Sequence, residues 1–117
     1  AEDAVQQLAD DEMVWGIQLP IQSQSEIYVE DWERTAGPDE LAIVAKACAA
    51  AGAWYVAICD HVAIPDDKFA AMGSTWYDTI ATLGYLAALT ERVRLISHVW
   101  VAAYRHPLVS ANSFVNQ

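Results

Sequence analysis

The chain is poor in bases. Six Lys and Arg stand against sixteen Asp and Glu in 117 residues, for a formal charge of -10. So few cations cannot track a phosphate backbone, which argues against a nucleic-acid surface. No apolar run reaches the roughly 18 residues of a membrane span. The beginning, "AEDAVQQLADDE", has neither a basic region nor an apolar core, so it does not read as a secretion signal. The two cysteines, Cys48 and Cys59, lack metal-ligand spacing and fall in apolar patterns. Both read as reduced core residues of a cytoplasmic protein. The five glycines, Gly16, Gly37, Gly52, Gly73 and Gly84, are isolated from one another. That excludes a glycine-rich phosphate loop and a dinucleotide fingerprint. No HxH, HExxH or nucleophile-elbow pattern occurs, so neither a metal centre nor a serine hydrolase is indicated.

What the chain does have is apolar residues, 55% of the total, in segments whose period alternates. Val14–Leu19 ("VWGIQL") reads as a strand ending at Pro20. Residues 21–37 are polar and irregular, with Trp32 as the large anchor. A helix is expected from Pro38 to Gly52: Pro38 suits a first turn, Asp39 and Glu40 suit the positive end of the dipole, and glycine suits the end. Leu41, Val44, Ala45 and Cys48 form its apolar stripe. "WYVAIC" is a second strand, and "DHVAIPDDKFAAMGST" a loop broken by Pro65 and Gly73. Asp78–Arg92 is a second helix, with Ile80, Leu83, Leu86, Ala87 and Thr90 along its stripe. "VRLISHVWVAA" is a third strand, and a third helix opens at Pro107.

Strand followed by helix, three times, at a spacing near forty residues is the arithmetic of a parallel βα repeat. The class is α/β, with strands expected to be covered on both faces. Residues 1–13 are an acidic extension carrying Glu2, Asp3, Asp10, Asp11 and Glu12, and 14–117 form the βα part. Spacing alone leaves a barrel and a small open sheet as equal alternatives.

In both architectures ligands bind at the carboxyl ends of the strands. The first strand delivers Gln18, Gln22 and Ser23 there. The second delivers Asp60 and His61. The third delivers Ser97, His98 and Trp100, with Tyr104, Arg105 and His106 beyond it. His61 is the best proton donor or acceptor, because imidazole titrates near neutrality. Asp60 can be a loop cap or a ligand-binding acid. His98 can be a satisfied buried imidazole or a ligand contact. Arg105 can meet an anion or brace a turn.

Three stretches together resemble one family: "WGIQLPIQSQ", "GPDELAIVAKACAAAGAWYVAICDHVAIP" and "STWYDTIATLGYLAALTERVRLISHVWVAAYRHPLVSANSF". They are similar to the N-terminal part of luciferase-like monooxygenases, in the branch that uses the deazaflavin coenzyme F420. The resemblance implies a (β/α)8 barrel, of which this chain would be the first three units, apparently truncated. It implies that His61 handles the proton accompanying hydride transfer, and that His98 and Val99 lie against the cofactor; Asp60 and Ser97, at the same strand ends, are expected to bind it as well. The His98–Val99 peptide is expected to be cis. Gln18, Gln22, Trp76 and Tyr77 are expected to line the substrate pocket. Ile64-Pro65 stands where sugar-phosphate dehydrogenase relatives carry a tryptophan, and Gln22 stands near their glutamate, so that substrate is disfavoured. The expected function is hydride transfer between coenzyme F420 and a small-molecule substrate, by an N-terminal fragment with little activity alone. FMN-dependent monooxygenation is the alternative within the family. A non-catalytic partial barrel, stable as a homo-oligomer or with a missing C-terminal portion, is the alternative outside enzymology.

Overall fold

The computed structural model describes residues 11–115. Most of the acidic extension, 1–13, therefore lies outside the described residues. Three short strands, β1 (Gly16–Gln18), β2 (Tyr55–Ile58) and β3 (Arg94–Ser97), form a sheet in the order β1-β2-β3. Both pairings are parallel, in a register that aligns Gln18, Ala57 and Ile96 across the sheet. The helices are α1 (Pro38–Ala50), the single turn α2 (Phe69–Met72), α3 (Thr79–Leu89) and α4 (Pro107–Val115).

Local chemistry accounts for the helix limits. Pro38 opens α1, where the Glu40 carboxylate accepts the Gly37 N–H at 2.8 Å. Asp78 caps α3 by accepting the Ala81 N–H at 2.8 Å. At the other end the Thr90 hydroxyl donates to the Leu86 carbonyl.

Ile17, Leu19, Val56, Ile58 and Leu95 point to one side of the sheet. There they meet Leu41 and Ala45 of α1 and Leu83 and Leu86 of α3 in a single apolar cluster. The opposite face carries Gln18, Tyr55, Ala57, Ile96 and His98, which line an open hollow of about 380 Å³. Strands covered on both faces were expected, but among the described residues the core lies on one side only.

Three local expectations need correction. The α3 stripe is rotated: Thr79, Thr82, Leu83 and Leu86 are buried, whereas Ile80 and Ala87 are exposed. A helix reading "TIATLGYLAAL" is apolar on most sides, so hydropathy does not select the inward face. Hydrogen bonds do: the Thr79 hydroxyl is 2.7 Å from Asp60 Oδ1 and 2.9 Å from the Cys59 carbonyl. In the segment after β1, Trp32 is 52% exposed and the neighbouring Glu33 is buried. The anchor there is a carboxylate that accepts backbone N–H groups. Finally, β3 stops at Ser97, well before Ala103. The next peptide, His98–Val99, is cis, as the resemblance implied.

Gly73 ends α2 at φ 67°, a region that side chains disfavour, and a methyl group there would run into the Gln24 carbonyl. Gly73→Ala is expected to lower stability by about 1–3 kcal/mol. Urea unfolding followed by tryptophan fluorescence measures this directly.

Candidate functional site

The carboxyl end of β2 sends three consecutive side chains three ways. Asp60 turns inward and is 3% exposed. Arg105 grips it with two parallel bonds of 2.7 Å, Nη1 to Oδ2 and Nη2 to Oδ1. The Val101 N–H donates to Oδ2 at 2.8 Å, and the Thr79 hydroxyl donates to Oδ1. Hydrogen bonding from Arg105 is the main cause of a carboxyl pKa lowered to about 2; the Val101 and Thr79 bonds add to it and burial opposes it. The Arg105 guanidinium lies 4.0 Å from the centre of the Trp100 ring, and Trp100 meets Phe114 edge-on. Asp60 was expected at the cofactor. Instead both its oxygens are engaged by the protein, and Arg105 braces the turn. The Asp60–Arg105 pair thus joins the end of β2, the start of α3 and the segment leaving β3.

His61 turns the other way. Its ring stacks on Trp76 at 3.9 Å between centroids, tilted by 35°. Trp76 is held by the segment after β1: Ser23 and Trp76 form an antiparallel bridge, the Gln24 N–H donates to the Thr75 carbonyl, and the Tyr77 N–H donates to the Gln22 carbonyl. Two polar atoms of this stack, His61 Nδ1 and Trp76 Nε1, are buried without a hydrogen-bond partner. A buried donor or acceptor left unpaired costs about 1–3 kcal/mol, so such atoms call for a reason.

Cys59 is the residue that sequence reading missed. Gln18 Nε2 lies 2.7 Å from its sulfur, and Gln22 Nε2 lies 3.7 Å from it. Gln22 is itself buried; its Oε1 accepts the Cys59 N–H at 3.2 Å and its Nε2 donates to the Leu19 carbonyl. Burial pushes the Cys59 thiol up, and the Gln22 bond partly offsets this. A signal was present: counting by twos from Tyr55 puts Cys59 on the same face as Ala57 and beside Gln18.

The remaining candidates divide by strand parity. His98 joins Gln18 on the open hollow. Ser97 instead lines a recess on the helix side with Leu83, Leu95 and Trp100, and its hydroxyl donates to the Val99 carbonyl. Val99 is 59% exposed. Tyr77 packs on the core and lines a separate hollow with Arg34 and Phe69, away from His61. Among the described residues, no three of His, Cys, Asp and Glu gather closely enough to hold a metal ion. No helix among them is long and apolar enough to cross a membrane.

The luciferase-like monooxygenase family matches residues 13–116. The chain belongs to the luciferase-like monooxygenases. No curated protein and no solved structure matches it. Membership sets the coarse function as that of an oxidoreductase of the monooxygenase kind.

Asp60 yields a pH prediction. Its folded pKa of about 2 lies below the ordinary 3.8. The stabilisation is therefore complete above pH about 4 and is lost as the pH falls towards 2, amounting to roughly 2 kcal/mol. Asp60→Asn, which leaves Arg105 buried without its anion, is expected to cost about 3–5 kcal/mol and to flatten the stability profile in that window. Urea midpoints at a series of pH values check both.

Proposed function

We propose that the three βα units are the first three of a (β/α)8 barrel, and that its carboxyl-end cleft serves hydride transfer between coenzyme F420 and a small organic substrate. The barrel reading is supported by the all-parallel register and by a core confined to one side of the sheet. A doubly wound sheet would be covered on both faces, whereas a barrel wall has helices outside and side chains within. The edges β1 and β3 have no further strand beside them among the described residues. We read them as seams where the wall continues, through further strands of the protein or a second copy.

The observation that carries the cofactor reading is the His61–Trp76 stack at the carboxyl end of β2. When bound, the deazaflavin supplies the hydride chemistry, and the protein supplies position and proton handling. With the coenzyme bound, His61 would hold or give up, at an imidazole nitrogen, the proton that accompanies hydride transfer. Trp76 fixes the plane of that ring. His98 and Val99 border the cleft after β3, and Gln18 and Gln22 border it after β1. Asp60 acts one step back, by fixing the backbone that carries His61. Ser97 acts from the helix side, through its bond to the Val99 carbonyl. FMN is the alternative occupant of the same cleft.

Titration of the chain with F420 and, separately, with FMN tests this, with tryptophan fluorescence and coenzyme absorbance as readouts. Saturable binding of F420 alone supports the reading. Binding of FMN alone transfers it to the alternative, and binding of neither overturns it for this chain. In an active preparation His61→Ala is expected to lower turnover by about 10²–10⁴-fold while coenzyme affinity changes far less. Unchanged turnover would remove His61 from the mechanism.

A further inference from the structure

The turn after β1 is built in an unusual way. The Gln22 N–H donates to the Pro20 carbonyl at 2.7 Å, closing a three-residue γ-turn, and Ile21 at its centre has φ 71°. This is the strained hand of that turn, occupied here by a β-branched residue that rarely adopts it. Such a conformation persists only where its surroundings over-determine it.

Here they do so at three points. The Ile21 side chain is fully buried in the apolar cluster. Its N–H donates to Glu33 Oε2 at 2.7 Å, a buried bond spanning twelve residues. Its carbonyl accepts from Gln24 Nε2 at 3.0 Å, and the same Nε2 donates to the Glu33 carbonyl. Glu33 is 7% exposed, and its other oxygen accepts the Glu30 N–H at 3.1 Å. A carboxylate this deep is held by what it accepts, and what it accepts here is the strained turn.

The residue leaving the turn is Gln22, whose amide joins the β1 segment to Cys59. Cys59 in turn receives Gln18, which lines the open hollow. We infer that Glu33 is a positioning residue for the cleft: by holding Ile21 in the γ-turn it delivers Gln22 to Cys59 and fixes the cleft wall on the β1 side. That this wall shapes a coenzyme cleft rests on the function proposed above; the clamp itself does not.

The test uses the complete chain without any coenzyme, so it stands or falls separately from the titrations. The rate at which a thiol reagent modifies Cys59 is measured in a Cys48→Ala background. The rate at Cys48, which is partly exposed, is measured in a Cys59→Ala background as a control on reagent access, and urea unfolding of the same variants reports global opening. Glu33→Ala is expected to accelerate Cys59 modification by about tenfold through local opening, with the Cys48 rate unchanged. Glu33→Gln keeps an acceptor oxygen for the Ile21 N–H and is expected to restore most of the protection. In a Gln22→Ala background, Glu33→Ala is expected to add less than about twofold, because both substitutions break one chain of contacts. Should Glu33→Ala fail to fold, Gln24→Ala removes the other tether on Ile21 and is expected to accelerate Cys59 alone. Equal acceleration at both thiols, full additivity with Gln22→Ala, or an unchanged Cys59 rate overturns the inference.

Discussion

The carboxylate of Asp60 is the constraint on which the upper layer of the molecule depends. An ionised acid that is 3% exposed survives only if its charge is matched and its lone pairs are filled. Arg105 does the first, and Thr79 and Val101 help with the second. Because those partners come from the start of α3 and from the segment beyond β3, one side chain sets the relative height of three elements. The rotated burial of α3 follows from it, since Thr79 must face inward to reach Asp60. The placement of Trp100 follows as well, because the Arg105 guanidinium sits 4.0 Å from the centre of its ring.

A second polar thread runs on the β1 side. Glu33 holds Ile21, the turn presents Gln22, and Gln22 meets Cys59. The two threads end on adjacent residues, Cys59 and Asp60, directly before His61. Loops normally carry function on a scaffold that packs more firmly than they do. Here the strands have only three or four residues, and buried hydrogen bonds between loops supply much of the rigidity that longer strands would otherwise provide. His61 and Trp76 sit where both threads converge, and stacking on Trp76 gives the imidazole a fixed orientation.

The parallel βα order, the starts of α1 and α3, and the clustering of polar residues at strand ends were legible in the chain. Period, caps and breakers are local signals, and these elements obey them. Cys59 was within reach too, had the alternation of β2 been counted through to its last residue. Glu33 was not: in the sequence it is one acid among several in a polar stretch, and nothing local marks it as the one that will be buried. The inward face of α3 was equally hidden, because an almost wholly apolar helix has no hydropathic direction of its own.

By itself, then, the sequence determined the class of fold, the family and the set of polar side chains at the strand ends, since each follows from the order and spacing of residues along one strand or helix. Only the tertiary structure decided how that set divides. It set Asp60 to binding Arg105, turned Ser97 and Tyr77 away from the hollow, and brought Glu33 under the β1 turn. Those outcomes depend on which groups meet after the chain has crossed over twice, and a buried polar atom takes whatever partner the packing brings within about 3 Å.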